Sequence, residues 1–344
     1  MTTTYRFSFG PWNIHEGADP FGPTVRPTIA FGRKLRMYKQ LGFDAVQFHD
    51  DDAVPGLEDL SAQDTQKQAA GVKKMLDEEG LVAEFVAPRL WEHPNGIDGG
   101  YTANDPCCRR WAIDRSKRAI DIARALDTKL IVLWLAREGT YVRESKNAID
   151  AYRWLIEAVN AMLDHDAEIQ IAIEPKPNEP MDHAYLPTIG HALALAHQTR
   201  DPARVGGLIE TAHALLAGLD PSDEMAFAMN AGKLWSVHLN DQNGLKFDQD
   251  KSFGAANLRG AYNQVRVLEL GQYAESGRYV GLDVKVMRTQ PADTACRHLT
   301  NSRAIFLKLV DKVRTFPGDL AKQCIAARDY EALEFAVLDH LMGR

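Results

Sequence analysis

The chain has 344 residues, 45% of them hydrophobic and 25% charged, with a formal net charge of −7. Such proportions belong to a soluble globular protein large enough for one big barrel or two ordinary domains, and the acidic surplus argues against nucleic acid or an anionic membrane as the main partner while suiting a protein that holds cations. The four cysteines, Cys107, Cys108, Cys296 and Cys324, form no CxxC pair, the opening MTTTYRFSFG carries no secretory pattern, and no apolar stretch approaches a membrane span, so a disulfide framework, a thiolate metal site and export are unsupported and a reducing cytoplasm fits.

Short apolar runs alternate with longer amphipathic segments eight times along the chain. The runs at 6–12, 45–48, 82–87, 130–134, 169–174, 205–210, 234–240 and 279–283 read as buried strands. Helical patterns fall between and after them, at 29–41, 64–79, 105–126, 145–164, 190–199, 223–230, 258–270 and 292–313. Strands separated by helices form a parallel sheet, and eight such units close most economically into a (β/α)8 TIM barrel. The glycine-rich phosphate turn of a doubly wound sheet is missing after the first strand. We therefore expect a barrel domain over 1–314 and a helical tail over 315–344, whose patterns at 318–327 and 330–342 carry an apolar stripe of Leu333, Phe335, Ala336, Leu338 and Leu341. That stripe must be buried, against another subunit or back on its own barrel.

In a parallel barrel the active site lies at the C-terminal ends of the strands, so what ends each run is the useful test. The second run ends in His49 and Asp50–Asp51–Asp52, the fourth at Trp134, and the fifth at Glu174 and Lys176 within IAIEPKPNEP, whose prolines stiffen the exit. The sixth ends at Glu210 with His213 three residues on, the seventh holds His238 followed by Asp248 and Asp250, and the eighth ends in Asp283 and Lys285. Taken singly, His238 reads as a core histidine and the two loop aspartates as a solvated turn. Taken together, Glu174, Glu210, His213, His238, Asp248, Asp250 and Asp283 are five carboxylates and two imidazoles whose repulsion in one cavity calls for divalent cations. Oxygen-dominated ligation suits magnesium, manganese or cobalt, and seven ligands suit two metals sharing one carboxylate.

The segments FHDDD (48–52), GGYTAND (99–105), AREG (136–139), AIEPKPNEP (172–180), LPTIGHALA (186–194) and DQNGLKFDQDKSFGAANLR (241–259) resemble the actinobacterial-type D-xylose isomerase family, as do DPFGPTVR (19–26) and the closing LDHLMGR (338–344). The resemblance implies that Glu174, Glu210, Asp283 and His238 hold a first metal, and that Glu210, His213, Asp248 and Asp250 hold a second. It implies further that His49, oriented by Asp52, assists sugar ring opening and that Lys176 contacts the carbonyl oxygen. Trp134 would form an apolar wall, Lys285 lies in the eighth-strand motif, and Phe21 would reach into a neighbouring subunit's site. The implied activity is a metal-dependent aldose–ketose isomerisation.

The chain also departs from that family. His238 stands where the family has an aspartate, which removes a negative charge from the first metal site and favours manganese or cobalt over magnesium. Imidazole there is similar to the L-rhamnose isomerase and ketose 3-epimerase families, so the substrate is a sugar but D-xylose is only one candidate. His15 lies near the place of a tryptophan, Trp91 replaces a phenylalanine and Ala87 a threonine, which reshapes the substrate wall. The tail is shorter than in the family, which makes a homodimer an alternative to a homotetramer. A ketose epimerase and a non-catalytic sugar-binding paralogue are the competing readings.

Overall fold

Runs such as Leu130–Trp134 and Ile171–Ile173, apolar at every position, satisfy both faces of a strand only where each face is covered. In the computed structural model, which describes residues 4–343, eight such strands form one closed parallel barrel. Met1–Thr3, at the head of the expected barrel unit, and Arg344, the last residue of LDHLMGR, lie outside the described residues. The strands are β1 (Arg6–Phe9), β2 (Ala45–His49), β3 (Val82–Ala87), β4 (Leu130–Trp134), β5 (Gln170–Glu174), β6 (Val205–Glu210), β7 (Leu234–Leu239) and β8 (Tyr279–Leu282), paired in sequence order with β8 closing onto β1. Outside the ring lie α1 (Phe31–Gln40), α2 (Ala62–Glu79), α3 (Pro106–Ala125), α4 (Ala148–His165), α5 (Ile189–Ala196), α6 (Pro221–Asn230), α7 (Leu258–Leu270) and α8 (Arg297–Thr315).

Local chemistry fixes where the helices begin. Ser61, Asp105, Asn147, Thr188, Asp220 and Asn257 each accept a hydrogen bond from a first-turn amide, and Pro106 and Pro221 sit where a missing N–H is harmless. The expected helix at 292–313 starts only at Arg297, because 292–294 forms a separate turn. The expected first strand at 6–12 stops at Phe9: Pro11 cannot donate to the ladder, and Pro11–Asn13 coils into a 3-10 turn. Gly10 permits this, since a Cβ there would lie 2.2 Å from the Trp12 ring.

Two irregularities shape the barrel interior. In β3, Val46 faces Ala83 and Phe48 faces Val86, so Glu84 and Phe85 together oppose Gln47. In β7, Leu234 and Ser236 oppose consecutive residues of β6, leaving Trp235 as the extra residue. Each bulge turns two neighbours toward the interior instead of one. Phe85 and Trp235 join Ala87, Leu130, Val132, Ala172 and Leu208 in an inner apolar cluster, while Glu84 and Ser236 meet in a hydrogen bond of 2.7 Å. The larger core lies between strands and helices.

After α8, the helices α9 (Gly318–Ala327) and α10 (Tyr330–Met342) fold back on the barrel's own helices. Val337 and Leu341 pack against the main core, Arg259 of α7 pairs with Glu334, and His340 Nε2 lies 2.9 Å from the Lys312 carbonyl. Phe335 and Met342 of the same helix remain exposed. Among the described residues, no helix is long and apolar enough to cross a membrane.

Candidate active site

A cavity of about 380 Å³ opens at the C-terminal ends of the strands. Strand exits bring five acids and two imidazoles to its floor: Glu174 from β5, Glu210 from β6, His238 within β7 and Asp283 just past β8. His213 comes from the short helix Thr211–Leu216, and Asp248 and Asp250 from the loop after β7. Glu210 is common to three groups whose ligating atoms lie within 4.8 Å of one another: with Glu174 and His213, with His238 and Asp283, and with Asp248 and Asp250. His238 Nδ1 lies 3.2 Å from Glu174 Oε1 and 3.8 Å from both Glu210 Oε2 and Asp283 Oδ2. His213 Nε2 lies 3.0 Å from Asp248 Oδ2 and 3.3 Å from Glu210 Oε1.

This arrangement asks for positive charge. Burial foremost, then the neighbouring Asp248 and Asp283, pushes the Asp250 carboxyl well above the carboxylate range. Glu210 is pushed up as well, by burial and by Asp248 and Asp250. Burial favours a neutral His238, yet Glu174, Glu210 and Asp283 outweigh it and draw a proton onto the ring. Asp248 Oδ1 and His213 Nδ1 are buried with no hydrogen-bond partner. Acids that repel one another, histidines drawn toward protonation and unpartnered buried donor atoms together fit divalent cations among these seven residues.

The residues beside the cluster are held rather than free. Asn240, fully buried after β7, donates to Glu210 Oε1 (2.9 Å) and Asp250 Oδ1 (3.0 Å), while its own oxygen accepts from the Ala212 amide. Lys176 Nζ sits 2.9 Å from Asp248 and 3.2 Å from Glu179. Burial favours the neutral amine, but Asp248, Glu210 and Glu179 outweigh it and keep Lys176 charged above the ordinary lysine range. Lys285 Nζ lies 3.6 Å from Asp250.

Across the cavity, at the end of β2, His49 Nδ1 lies 2.9 Å from Asp52 Oδ2. Burial pushes the Asp52 carboxyl up, but His49 and Arg89 outweigh it and hold it below the ordinary range. Arg89 Nη2 approaches both Asp52 Oδ1 (3.2 Å) and the same His49 Nδ1 (2.6 Å). A guanidinium only donates, so Nδ1 cannot serve Asp52 as a donor and Arg89 as an acceptor at once. Aromatic rings line the space between the two ends: Trp12 to His49 at 4.4 Å, His49 to Trp91 at 5.2 Å and Trp91 to Trp134 at 4.5 Å, with Lys176 Nζ 5.2 Å from the Trp134 ring.

A family model for the xylose isomerase-like TIM barrel matches residues 35–266. The chain belongs to the xylose isomerase-like TIM-barrel family. Solved structures of similar fold include D-psicose 3-epimerase from Clostridium cellulolyticum H10, with a TM-score of 0.65 at 13% identity over 89% of this chain and 99% of that one. An L-ribulose 3-epimerase gives 0.63 at 14% identity over 90% and 96%. A xylose isomerase domain protein from Alicyclobacillus acidocaldarius subsp. acidocaldarius gives 0.61 at 14% identity over 90% and 99%. At these identities the likeness is one of fold.

In this xylose isomerase-like barrel, His15 lies away from the cavity, and Phe21, expected to reach a neighbouring subunit's site, is not part of the chain's own. His15 lines a separate hollow with Arg26 and Ile29, and its Nδ1 accepts from the Gly17 amide, because the turn after β1 carries the chain outward beyond Asn13. Trp12 occupies that wall instead, its Nε1 donating to Asp283 Oδ1 at 2.8 Å. Phe21 is 97% exposed on the adjoining loop. Sequence reasoning missed Trp12, Arg89, Glu179 and Asn240. Gly10-Pro11 was a readable signal for Trp12, as a turn that would aim the next side chain inward; single polar residues after a strand gave no such signal for the other three.

Proposed function

We propose that the chain is a divalent-metal-dependent aldose–ketose isomerase of the xylose isomerase-like family, acting on a pentose or hexose. The observation that carries this reading is one cavity with a shared-carboxylate cluster and Lys176 at one end and the His49–Asp52 pair at the other, with tryptophan rings between. Glu174, Glu210, His238 and Asp283 would hold one ion, and Glu210, His213, Asp248 and Asp250 a second, with manganese, cobalt or magnesium the ions suited to these donors. Bound there, they would supply Lewis-acid charge to the adjacent sugar oxygens.

The chain's own residues account for the other requirements. His49, held by Asp52, takes the proton of the anomeric hydroxyl and returns it to the ring oxygen as the C1–O bond to that oxygen breaks and the C1 carbonyl forms. Charged Lys176 donates to the carbonyl oxygen as negative charge develops on it. The rings of Trp12, Trp91 and Trp134 exclude water, which favours passage of hydrogen directly between C2 and C1 over exchange with solvent. The C2–H pair then moves to C1 and the hydroxyl proton passes from O2 to O1, turning aldose into ketose with no atom gained or lost. The bare Phe21 ring suits contact with a neighbouring subunit in a homodimer or homotetramer.

A second reading, ketose 3-epimerisation, is favoured by the fold's likeness to proteins named as 3-epimerases and by the entry of Glu174 and Asp283 into one cavity from separate strands. One experiment separates the two. Aldoses deuterated at C2 are incubated with enzyme and Mn²⁺, Co²⁺ or Mg²⁺, and products are read by NMR. Isomerisation is expected to give ketose with deuterium at C1; inversion at C3 of a supplied ketose would establish the epimerase. Sugar-induced thermal stabilisation with no product under any ion would leave a binding protein.

A further inference from the structure

Beneath the acid and imidazole layer lies a buried polar knot that the proposed chemistry does not use. Glu84, placed inward by the β3 bulge, accepts from Gln47 Nε2 (3.0 Å), from Ser236 Oγ (2.7 Å) and from Ser8 Oγ. Gln47 Nε2 also lies 3.2 Å from Ser8 Oγ. These four side chains come from four different strands, and all are buried. Two acceptors for its N–H₂ group settle which way the Gln47 amide faces, since turning it over would set an oxygen against the Glu84 carboxylate.

That orientation leaves Gln47 Oε1 buried without a partner. His238 Nε2, the ring nitrogen opposite the one facing Glu174, is also buried and unpartnered. Both groups border the backbone of Gly281: a Cβ there would lie 2.5 Å from Gln47 Nε2 and 3.1 Å from His238 Cδ2, the carbon bonded to the orphan nitrogen. The Gln47 amide and the His238 ring therefore border the same strand residue, and each carries one buried atom without a partner. A metal-ligating histidine almost always donates its other ring N–H to an oxygen, which fixes its tautomer.

We propose that Gln47, oriented by Glu84, is the positioning partner of His238: its Oε1 takes the Nε2–H through one bridging water, and so presents the Nδ1 lone pair to the metal cluster. The inference rests on the metal-binding reading of His238. Gln47 and Glu84 act only through the imidazole, so they set the affinity and selectivity of the first site and leave the site of His213, Asp248 and Asp250 alone. The bulge that turns Glu84 inward thereby serves the metal site from the layer beneath it.

The test uses metal-free full-length protein, wild type and the variants Gln47→Leu, Glu84→Gln and Ser236→Ala. Mn²⁺ binding is measured by titration calorimetry, and the protonated nitrogen of the His238 ring by ¹⁵N NMR with diamagnetic Mg²⁺ bound. Wild type is expected to carry its proton on Nε2. Gln47→Leu is expected to lose roughly 10- to 100-fold in affinity at one site only. Glu84→Gln, which frees the amide to turn over, is expected to weaken the same site and mix the tautomers, while Ser236→Ala, which keeps both partners, stays near wild type. Two Mn²⁺ bound by wild type and by Gln47→Leu with equal affinities, or an Nδ1–H tautomer in wild type, overturns this inference alone. A wild type that binds no divalent ion overturns the metal reading and this inference with it. If Gln47→Leu does not fold, Glu84→Gln, which keeps the side-chain volume, decides the outcome.

Discussion

Glu210 and Lys176 occupy positions with separable consequences. Glu210 is the one carboxylate common to all three close groups of donor atoms, so Glu210→Gln is expected to weaken both ions together, by tenfold or more each in a calorimetric titration. Weakening of one ion alone would remove its bridging role. Lys176 is fixed by Asp248 and Glu179 and reaches the cavity from the proline-stiffened exit of β5. Lys176→Met is expected to retain both ions and lower kcat by roughly two to three orders of magnitude, the scale of losing one charge-stabilising donor. An unchanged kcat would take Lys176 out of the chemistry. His238→Asp, which returns a carboxylate to the first site, is expected to move the metal preference toward magnesium, as read by activity and affinity with each ion.

At the scale of elements, the loop after β2 is anchored from outside the cavity. Asp50, fully buried, accepts from Arg115 Nε (2.8 Å) and Nη2 (3.0 Å) of α3 and from the amides of Asp51 and Arg89. One carboxylate thus ties the His49–Asp52 segment to helix α3 and to the loop carrying Arg89. Asp50→Ala strips buried Arg115 of its two-pronged partner and leaves it only Glu58 (2.8 Å) and Asp51 (3.5 Å), and is expected to cost about 3 kcal/mol in urea unfolding; a loss below about 1 kcal/mol would show that the pair does not hold the loop. The element pattern was legible in the sequence because β4, β5 and β6 are continuous apolar runs that end in chemistry-bearing residues. The bulges at Glu84–Phe85 and Trp235–Ser236 were not, since an extra residue changes which side chains face inward without changing the composition of the run. For the same reason strict alternation would have given Glu84 no place beside Ser236. Trp12 and His15 exchanged roles because the turn after Phe9, not the spacing of aromatic residues, decides which side chain enters the cavity.

The whole molecule registers these local charges as stability. His298 of α8 bonds to the Asn13 carbonyl at 2.8 Å, closing the barrel next to the Trp12 turn, and burial lowers its pKa to about 4 from the ordinary 6.5. The unfolded chain therefore binds this proton more readily, so stability falls as pH drops from 6.5 toward 4, by about 3 kcal/mol in total. His298→Gln keeps a donor for Asn13 but cannot titrate. The gap between wild type and variant is expected to shrink over that window, and parallel stability curves would show that His298 titrates normally. Ions bound only by the folded state add about 4 kcal/mol each when present at a thousand times their dissociation constant, so a chelator is expected to lower Tm.

The most direct test of the account is the number of Mn²⁺ ions bound per chain at equilibrium dialysis, with wild type and Glu210→Gln side by side. Two ions in wild type, with both sites weakened in the variant, is the expected result. A wild-type chain that retains none would contradict the account at its centre.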